Sequence, residues 1–495
     1  MAMTSASQHA LVALAIFLAN TFAGAATPPC ATPVQADDGW GVVAPAAAGF
    51  DEKRLCEAMQ AFDSSPWNLH GLVVERHGQL VAEHYRAGKD ASTYTLIART
   101  THFEASTLHD VRSITKSVVS LLWGIAQADG TTPALQTPVL DLLPALADLK
   151  TDGRERITVQ DLLRMRSGLA WDESGSYSNW RNDELAMLWR GDLARYVFDR
   201  PMAVPPGTRF NYNGGSTAVL GELLAGRAGM PLPEFARTRL FEPLGIRGWE
   251  WGRDLRGRPR AYAGLRMRPR DMAKLGRMVL HDGVWQGRQI VPASWLNASF
   301  TPQEPNPGYG DHWWLGVVWA SGKSYVWRAG IGNGGQRLFM LPALDLVVVV
   351  TAGDYNDGKV GREALRLLSL VVGAVQESPG GTADSGPSSG RVDASPMPME
   401  SGQPAPEAAV AVETRAILRD VFEEDDGKRV YIRLKLAPRA KLPFTTLTFR
   451  VRDRALITGL ATGDRVAFRA ERVDGENNVI AIRTLPPCES HRNCQ

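Results

Sequence analysis

Apolar residues along the chain follow two periods that trade places. Residues 71–76 and 79–83 flank His77-Gly78 and read as two strands of a hairpin closed by a tight turn. A second hairpin is predicted where 337–341 and 346–351 flank Pro342-Ala343-Leu344-Asp345. The run Leu346-Val347-Val348-Val349-Val350 is apolar at every position, so it predicts a strand covered on both faces. Between the hairpins the period becomes helical, over 113–127, 158–163, 216–228, 232–240, 270–281 and 292–299, with a further helix at 361–372. Strands at both ends with helices between predict an α+β domain over 39–376. Its antiparallel sheet, flanked by helices, is assembled from the two ends, and a helical lobe comes from the middle.

After Gln376 both periods stop. Pro, Gly, Ser and Ala dominate 377–414, which has no aromatic residue and cannot offset its ordering entropy by burial; it reads as a disordered linker. Alternation resumes at 430–434, 447–451 and 465–469, punctuated by Asp426-Gly427 and Thr462-Gly463-Asp464. Residues 415–484 therefore predict a small OB-like β-barrel, followed by a cysteine-containing tail at 485–495. At the other end, 10–19 is an apolar block too short to cross a bilayer, followed by Ala23-Gly24-Ala25. That pattern reads as a signal peptide over 1–25 and implies a periplasmic or secreted protein.

The 495 residues carry 55 basic and 53 acidic side chains, a net charge of +2, which excludes charge-driven nucleic-acid binding. The interior has no apolar run of about 20 residues, so no membrane span is expected after signal cleavage. Cys30, Cys56, Cys488 and Cys494 allow three pairings, with 488–494 and 30–56 the local ones. No Cys-x-x-Cys or zinc-finger spacing occurs, so no zinc-finger site is expected.

The chemistry concentrates at Ser113-Ile114-Thr115-Lys116, which opens an apolar helix. A serine hydroxyl needs an adjacent base, and a lysine three residues on shares its helix face. A lysine with a pKa lowered by burial and positive surroundings can be that base. The Ser113 backbone N–H can also serve an oxyanion site. Two further segments fit the same task. Tyr212, on the loop Asn211-Tyr212-Asn213-Gly214-Gly215 before a helix, can exchange protons with a serine or a leaving group. Ala329-Gly330-Ile331-Gly332-Asn333-Gly334-Gly335-Gln336 is glycine-rich enough for a substrate to approach the backbone.

In this order the three segments resemble the motifs of the serine β-lactamase and penicillin-binding family, in its class C-like branch of esterases, D-aminopeptidases and 6-aminohexanoate-dimer hydrolases. The segments 161–169, 241–246 and 264–276 are similar to signatures of the same family. The resemblance implies an exported serine hydrolase that cleaves an ester or amide, small or peptide-like, through an acyl-serine, with no metal or organic cofactor needed. Ser113 would be the nucleophile, Lys116 its base and Tyr212 the proton shuttle. The backbone N–H groups of Ser113 and of Ile331 or Gly332 would form the oxyanion hole. Asn213, Gly214, Trp171 and Trp313 are candidate substrate contacts, whereas Asp172 and Glu173 read as solvated. Departures matter as well. Gly214 stands where the family has asparagine, and no Lys or His precedes Gly330. The missing cation argues against β-lactamase or D,D-peptidase action. It also motivates a second reading, a non-catalytic fold that binds cell-wall peptide or a protein partner.

Two other patterns are set aside. Ser388 fits Gly-x-Ser-x-Gly but lies in the linker, and His109-Asp110 is too close in sequence to Ser113 for triad geometry, so His109 reads as structural. The barrel resembles CusF-like copper-binding proteins at 441–451 and 459–468. Thr445 and Leu447 stand at the Met-x-Met positions and Leu442 at the Trp position. No His, Met or Trp occurs in 415–483, so the resemblance implies the barrel without its copper site, free to dock an unknown protein partner.

Overall fold

The valine run lies at the middle of the main sheet, and its neighbours come from both ends of the domain. The computed structural model describes residues 32–91, 98–173, 182–303, 306–376, 414–424, 429–436, 446–473 and 476–486. The expected signal segment and linker, with Cys30, Cys488 and Cys494, lie outside the described residues. Cys56 is disulfide-bonded. The sheet strands are β1 (Gly41–Val42), β2 (Leu69–Arg76), β3 (Gln79–Tyr85), β4 (Trp314–Ala320), β5 (Lys323–Gly332), β6 (Gln336–Leu341) and β7 (Leu346–Ala352). Their order is β1-β3-β2-β7-β6-β5-β4, antiparallel except for the β1–β3 pair. Both expected hairpins are present, β2–β3 and β6–β7.

Each face of β7 feeds a different core. Leu346, Val348 and Val350 pack with α1 (Glu52–Asp63) and, at the far end of the domain, the helix Lys359–Gly373. Val347 and Val349 join the opposite core with α2 (Ile114–Ala128), α3 (Gly214–Ala228) and α4 (Pro269–Leu280). Each such valine is fully buried, worth roughly 1.5–3 kcal/mol relative to exposure, which is why the run needs no polar face. The helix expected over 232–240 stops at Ala236 and continues as a wider turn, Arg237–Phe241, that buries Leu240 and Phe241.

The C-terminal unit is a closed barrel of β8 (Thr414–Glu424), β9 (Arg429–Leu436), β10 (Thr446–Val451), β11 (Arg465–Val473) and β12 (Glu476–Thr484), in the order β8-β9-β10-β12-β11. Leu418, Ile432, Leu434, Phe449, Val466 and Phe468 fill its interior. Leu447 lies on β10, whereas Leu442 and Thr445 lie outside the described residues.

Candidate functional site

Arg112 adopts a left-handed conformation (φ +53°), and the turn it makes presents Ser113 at the start of α2. One helical turn on, Lys116 is fully buried. Its ammonium donates to Ser113 Oγ at 3.1 Å and to the Tyr262 carbonyl at 2.9 Å, and lies 3.5 Å from Glu184 Oε2. The ammonium thus has two hydrogen-bond acceptors and one carboxylate counter-charge. Tyr212, half-buried before α3, hydrogen-bonds Ser113 and faces Lys116, whose Nζ is 4.9 Å from its ring centre. The structure thus brings Ser113, Lys116 and Tyr212 together.

The electrostatics differ from the expected ones. Burial would lower the Lys116 pKa, but Tyr212, Glu184 and Glu173 outweigh it and hold it above its ordinary value. The surroundings are negative, not positive, because two acids sit beside the amine. Glu173, expected to be solvated, takes part in this cluster. It accepts from the Trp171 indole N–H and from the Gly214 backbone N–H. Burial and the like charge of Glu184 raise its pKa to about 7, against the pull of Lys116.

The four candidate contacts divide. Trp171 is buried and its indole N–H holds Glu173, so it positions an acid. Gly214 is required by the acids: a Cβ there would come within 2.4 Å of Glu184 Oε2. Asn213 caps α3 through Ser216 N–H, while its buried Nδ2 makes no hydrogen bond among the described residues. Trp313 is a core residue against Phe300. Its neighbour Trp314 forms an aromatic wall beside Tyr212, 5.8 Å from the Tyr212 ring and 4.8 Å from that of Tyr309.

The third segment crosses the start of α2 because its glycines permit it. A Cβ on Gly330 would touch Ile114 at 3.0 Å, and one on Gly332 would come 2.4 Å from the Val111 carbonyl. Pairing of β4 with β5 ends at Trp314 and Ala329, so residues 330–332 run past β4 with that edge open among the described residues. Sequence reasoning missed Glu184, Tyr309 and the Tyr262 carbonyl. The paired glycines after Asn213 were the available signal, since they mark a backbone that other groups approach closely.

Residues 70–371 match the profile of the Beta-lactamase family, and 424–484 match that of CusF, a copper-binding periplasmic protein. The chain is 27% identical over 300 residues to a 6-aminohexanoate-dimer hydrolase of Paenarthrobacter ureafaciens, an overlap of 56% of this chain and 71% of that protein. It is 20% identical to a protein of Salmonella enteritidis described provisionally as a D-alanyl-D-alanine carboxypeptidase, over 42% of this chain and 49% of that protein. Among solved structures, a Bacillus anthracis protein, described provisionally as a 6-aminohexanoate-dimer hydrolase, superposes with a TM-score of 0.51 and 21% identity. That match covers 62% of this chain and 79% of that one.

Proposed function

Because the chain belongs to the Beta-lactamase family, whose match spans 70–371, we propose that it is a serine hydrolase that cleaves an ester or amide through an acyl-Ser113 intermediate. The observation that carries this reading is the hydrogen bond from Lys116 Nζ to Ser113 Oγ inside the buried cluster of Tyr212, Glu184 and Glu173. A pure binding surface has no use for a buried ammonium held against a serine by two acids.

Lys116 acts as a relay rather than as a free amine. As Ser113 Oγ attacks the carbonyl carbon, its proton passes to Nζ, and Nζ hands one of its own to the carboxylate pair. Burial and the charge of Glu184 raise the Glu173 pKa to about 7, which lets that carboxylate take up the proton. Tyr212, hydrogen-bonded to Ser113, then passes a proton to the leaving alcohol or amine, and water reverses the sequence to free the acid. The oxyanion hole pairs the Ser113 N–H with that of Ile331. A three-residue connection, 333–335, makes Gly332 and Gln336 the closing hydrogen-bonded pair, and alternation along β5 turns the Ile331 N–H to the open edge. With Ala329, not a lysine or histidine, just before Gly330 and with Trp314 and Tyr309 beside Tyr212, the site favours an uncharged, apolar substrate flank. The apolar N-terminal block and the match to a periplasmic copper-binding profile support export to the periplasm.

Fluorophosphonate labelling tests the reading. The wild-type chain should label at Ser113, and Ser113→Ala should lose both label and turnover on a panel of esters, D-amino-acid amides and linear amide oligomers. Labelling that persists at another serine would overturn it.

A further inference from the structure

Four residues before the nucleophile, His109 meets His70 in a contact that the chain's own protons cannot complete. Both rings are buried, and His70 Nδ1 lies 2.7 Å from His109 Nε2. The outer nitrogens settle the tautomers. Asn68 is oriented by its two bonds to Lys89: its Nδ2 donates to the Lys89 carbonyl at 2.7 Å and its Oδ1 accepts from the Lys89 N–H at 3.0 Å. That Oδ1 also faces His70 Nε2 at 3.1 Å. An amide oxygen only accepts, so His70 carries its proton on Nε2. At the other end His109 Nδ1 faces the Asp110 carbonyl at 3.0 Å, so His109 carries its proton on Nδ1. In two neutral rings the inner nitrogens then point lone pair against lone pair across 2.7 Å. Something positive belongs between them, either a third proton or a metal ion.

Burial argues against the proton. Both rings are fully buried, His70 at 0% and His109 at 1% exposure, so a shared proton would place an imidazolium out of reach of water. The charges facing the pair divide, Asp90 and Asp110 favouring a cation and Arg86 and Arg112 opposing one. Asp90 is close enough to act as a third ligand, since its carboxylate and the two ring nitrogens all lie within 4.8 Å of one another. The surroundings are built to hold these groups. Phe103 stacks on His70 with ring centres 4.0 Å apart. Gly88 and Gly353 give the ring room, as a Cβ on either would come within 2.6 Å of it. Tyr355 donates to Asp90 Oδ1 at 2.7 Å.

We propose that His70 Nδ1, His109 Nε2 and Asp90 bind one divalent transition-metal ion, Zn²⁺ being the best match to two imidazoles and a carboxylate. Each ligating ring donates its other N–H to a carbonyl oxygen, the outer arrangement that orients metal-bound histidines. Tetrahedral bonds of about 2.0–2.1 Å need the ring nitrogens roughly 3.3 Å apart, a small opening from the present contact. A recess of about 530 Å³ lies beside the site, lined in part by Asn68 and Tyr355, the partners of His70 and Asp90. The ion would tie the strand Leu69–Arg76 and the segment Gly88–Asp90 to His109–Asp110, the stretch that leads into Ser113. Acyl transfer at Ser113 does not require it.

The test uses the full chain, stripped with a chelator and titrated with Co²⁺ and then Zn²⁺. One equivalent of Co²⁺ should bind with the visible bands of a four-coordinate nitrogen–oxygen site, be displaced by Zn²⁺, and raise Tm by several degrees. Cys488→Ser/Cys494→Ser should keep that equivalent, which separates it from any thiol site in the tail. His109→Gln should lose it. Asp90→Asn, at a half-buried position that spares the core, should weaken binding about 10–100-fold. The proposal fails if the wild-type chain takes up no stoichiometric metal, or if binding is unchanged in both variants. It also fails if imidazole ¹⁵N shifts of the metal-free chain between pH 6 and 8 show a pair sharing a third proton.

Discussion

On the helix side of Ser113, Lys116 sits among Glu184, Glu173 and Tyr212; on the strand side, His109 sits against His70 with Asp90 close by. Both clusters are buried, and both place nitrogens where water cannot help them. The first holds its own counter-charges, so its ammonium finds two hydrogen-bond acceptors and a carboxylate within the chain. The second is short of one positive charge, because the acceptors at its two ends fix both outer protons. A buried ion pair closed within the chain is costly to break but always present, since removing one partner strands the other at roughly 3–5 kcal/mol. A cluster closed from outside is conditional on supply. The catalytic proposal therefore rests on the self-contained cluster, and the conditional one tethers a neighbouring segment.

The largest effect expected from this contrast is at Lys116. Lys116→Met keeps the volume and removes the relay, and kcat should fall by at least about 1,000-fold, since nucleophile and relay act as a unit. Circular dichroism and Tm must show that the variant folds. If it folds and turns over within tenfold of wild type, the acids and the lysine are a structural ion pair and nothing more. Next is Glu173→Gln. With an ionised Glu173 as the proton acceptor, kcat/KM should rise with pH through about 7 in the wild-type chain. The variant should lose that limb and run about 10–100-fold slower at its plateau. Trp314→Ala should act on binding, raising KM about tenfold for bulky apolar substrates with kcat within threefold.

Much of this was legible because local pattern and tertiary role agree. The β6–β7 hairpin and α2 follow from runs whose period matches their burial. The trio Ser113, Lys116 and Tyr212 is legible because the turn and glycine-rich loop that hold it are local. The opening helix Glu52–Asp63 was not, since it is strongly polar and depends on packing Leu55, Met59 and Phe62 against the sheet. Strand β4 was not, since its apolar side chains fall on both faces, with Val317 and Trp319 exposed. Glu173 read as solvated for the usual reason that acids are rarely buried, and only the fold brings Lys116 to it. His70, Asp90 and His109 are spread over 40 residues with no ligand spacing, so their meeting is a property of the strand layout and not of any motif.

The smallest effect sharpens the same contrast. Because the folded chain holds the Glu173 pKa near 7, above the ordinary 4.5, it binds more protons than the unfolded chain between those values. The stability that this group contributes is full below pH 4.5 and is lost as pH rises through 7, by roughly 1–3 kcal/mol. Denaturant unfolding should show wild type losing ground to Glu173→Gln over that window. Trp171→Phe should move the break. The indole N–H holds the carboxylate form, so its removal should carry the titration upward by a fraction of a pH unit, with the same sign in unfolding and in kcat/KM. If the two readouts move in opposite directions, the group that titrates in stability is not the one that accepts the Ser113 proton, and the relay must be reassigned to Glu184.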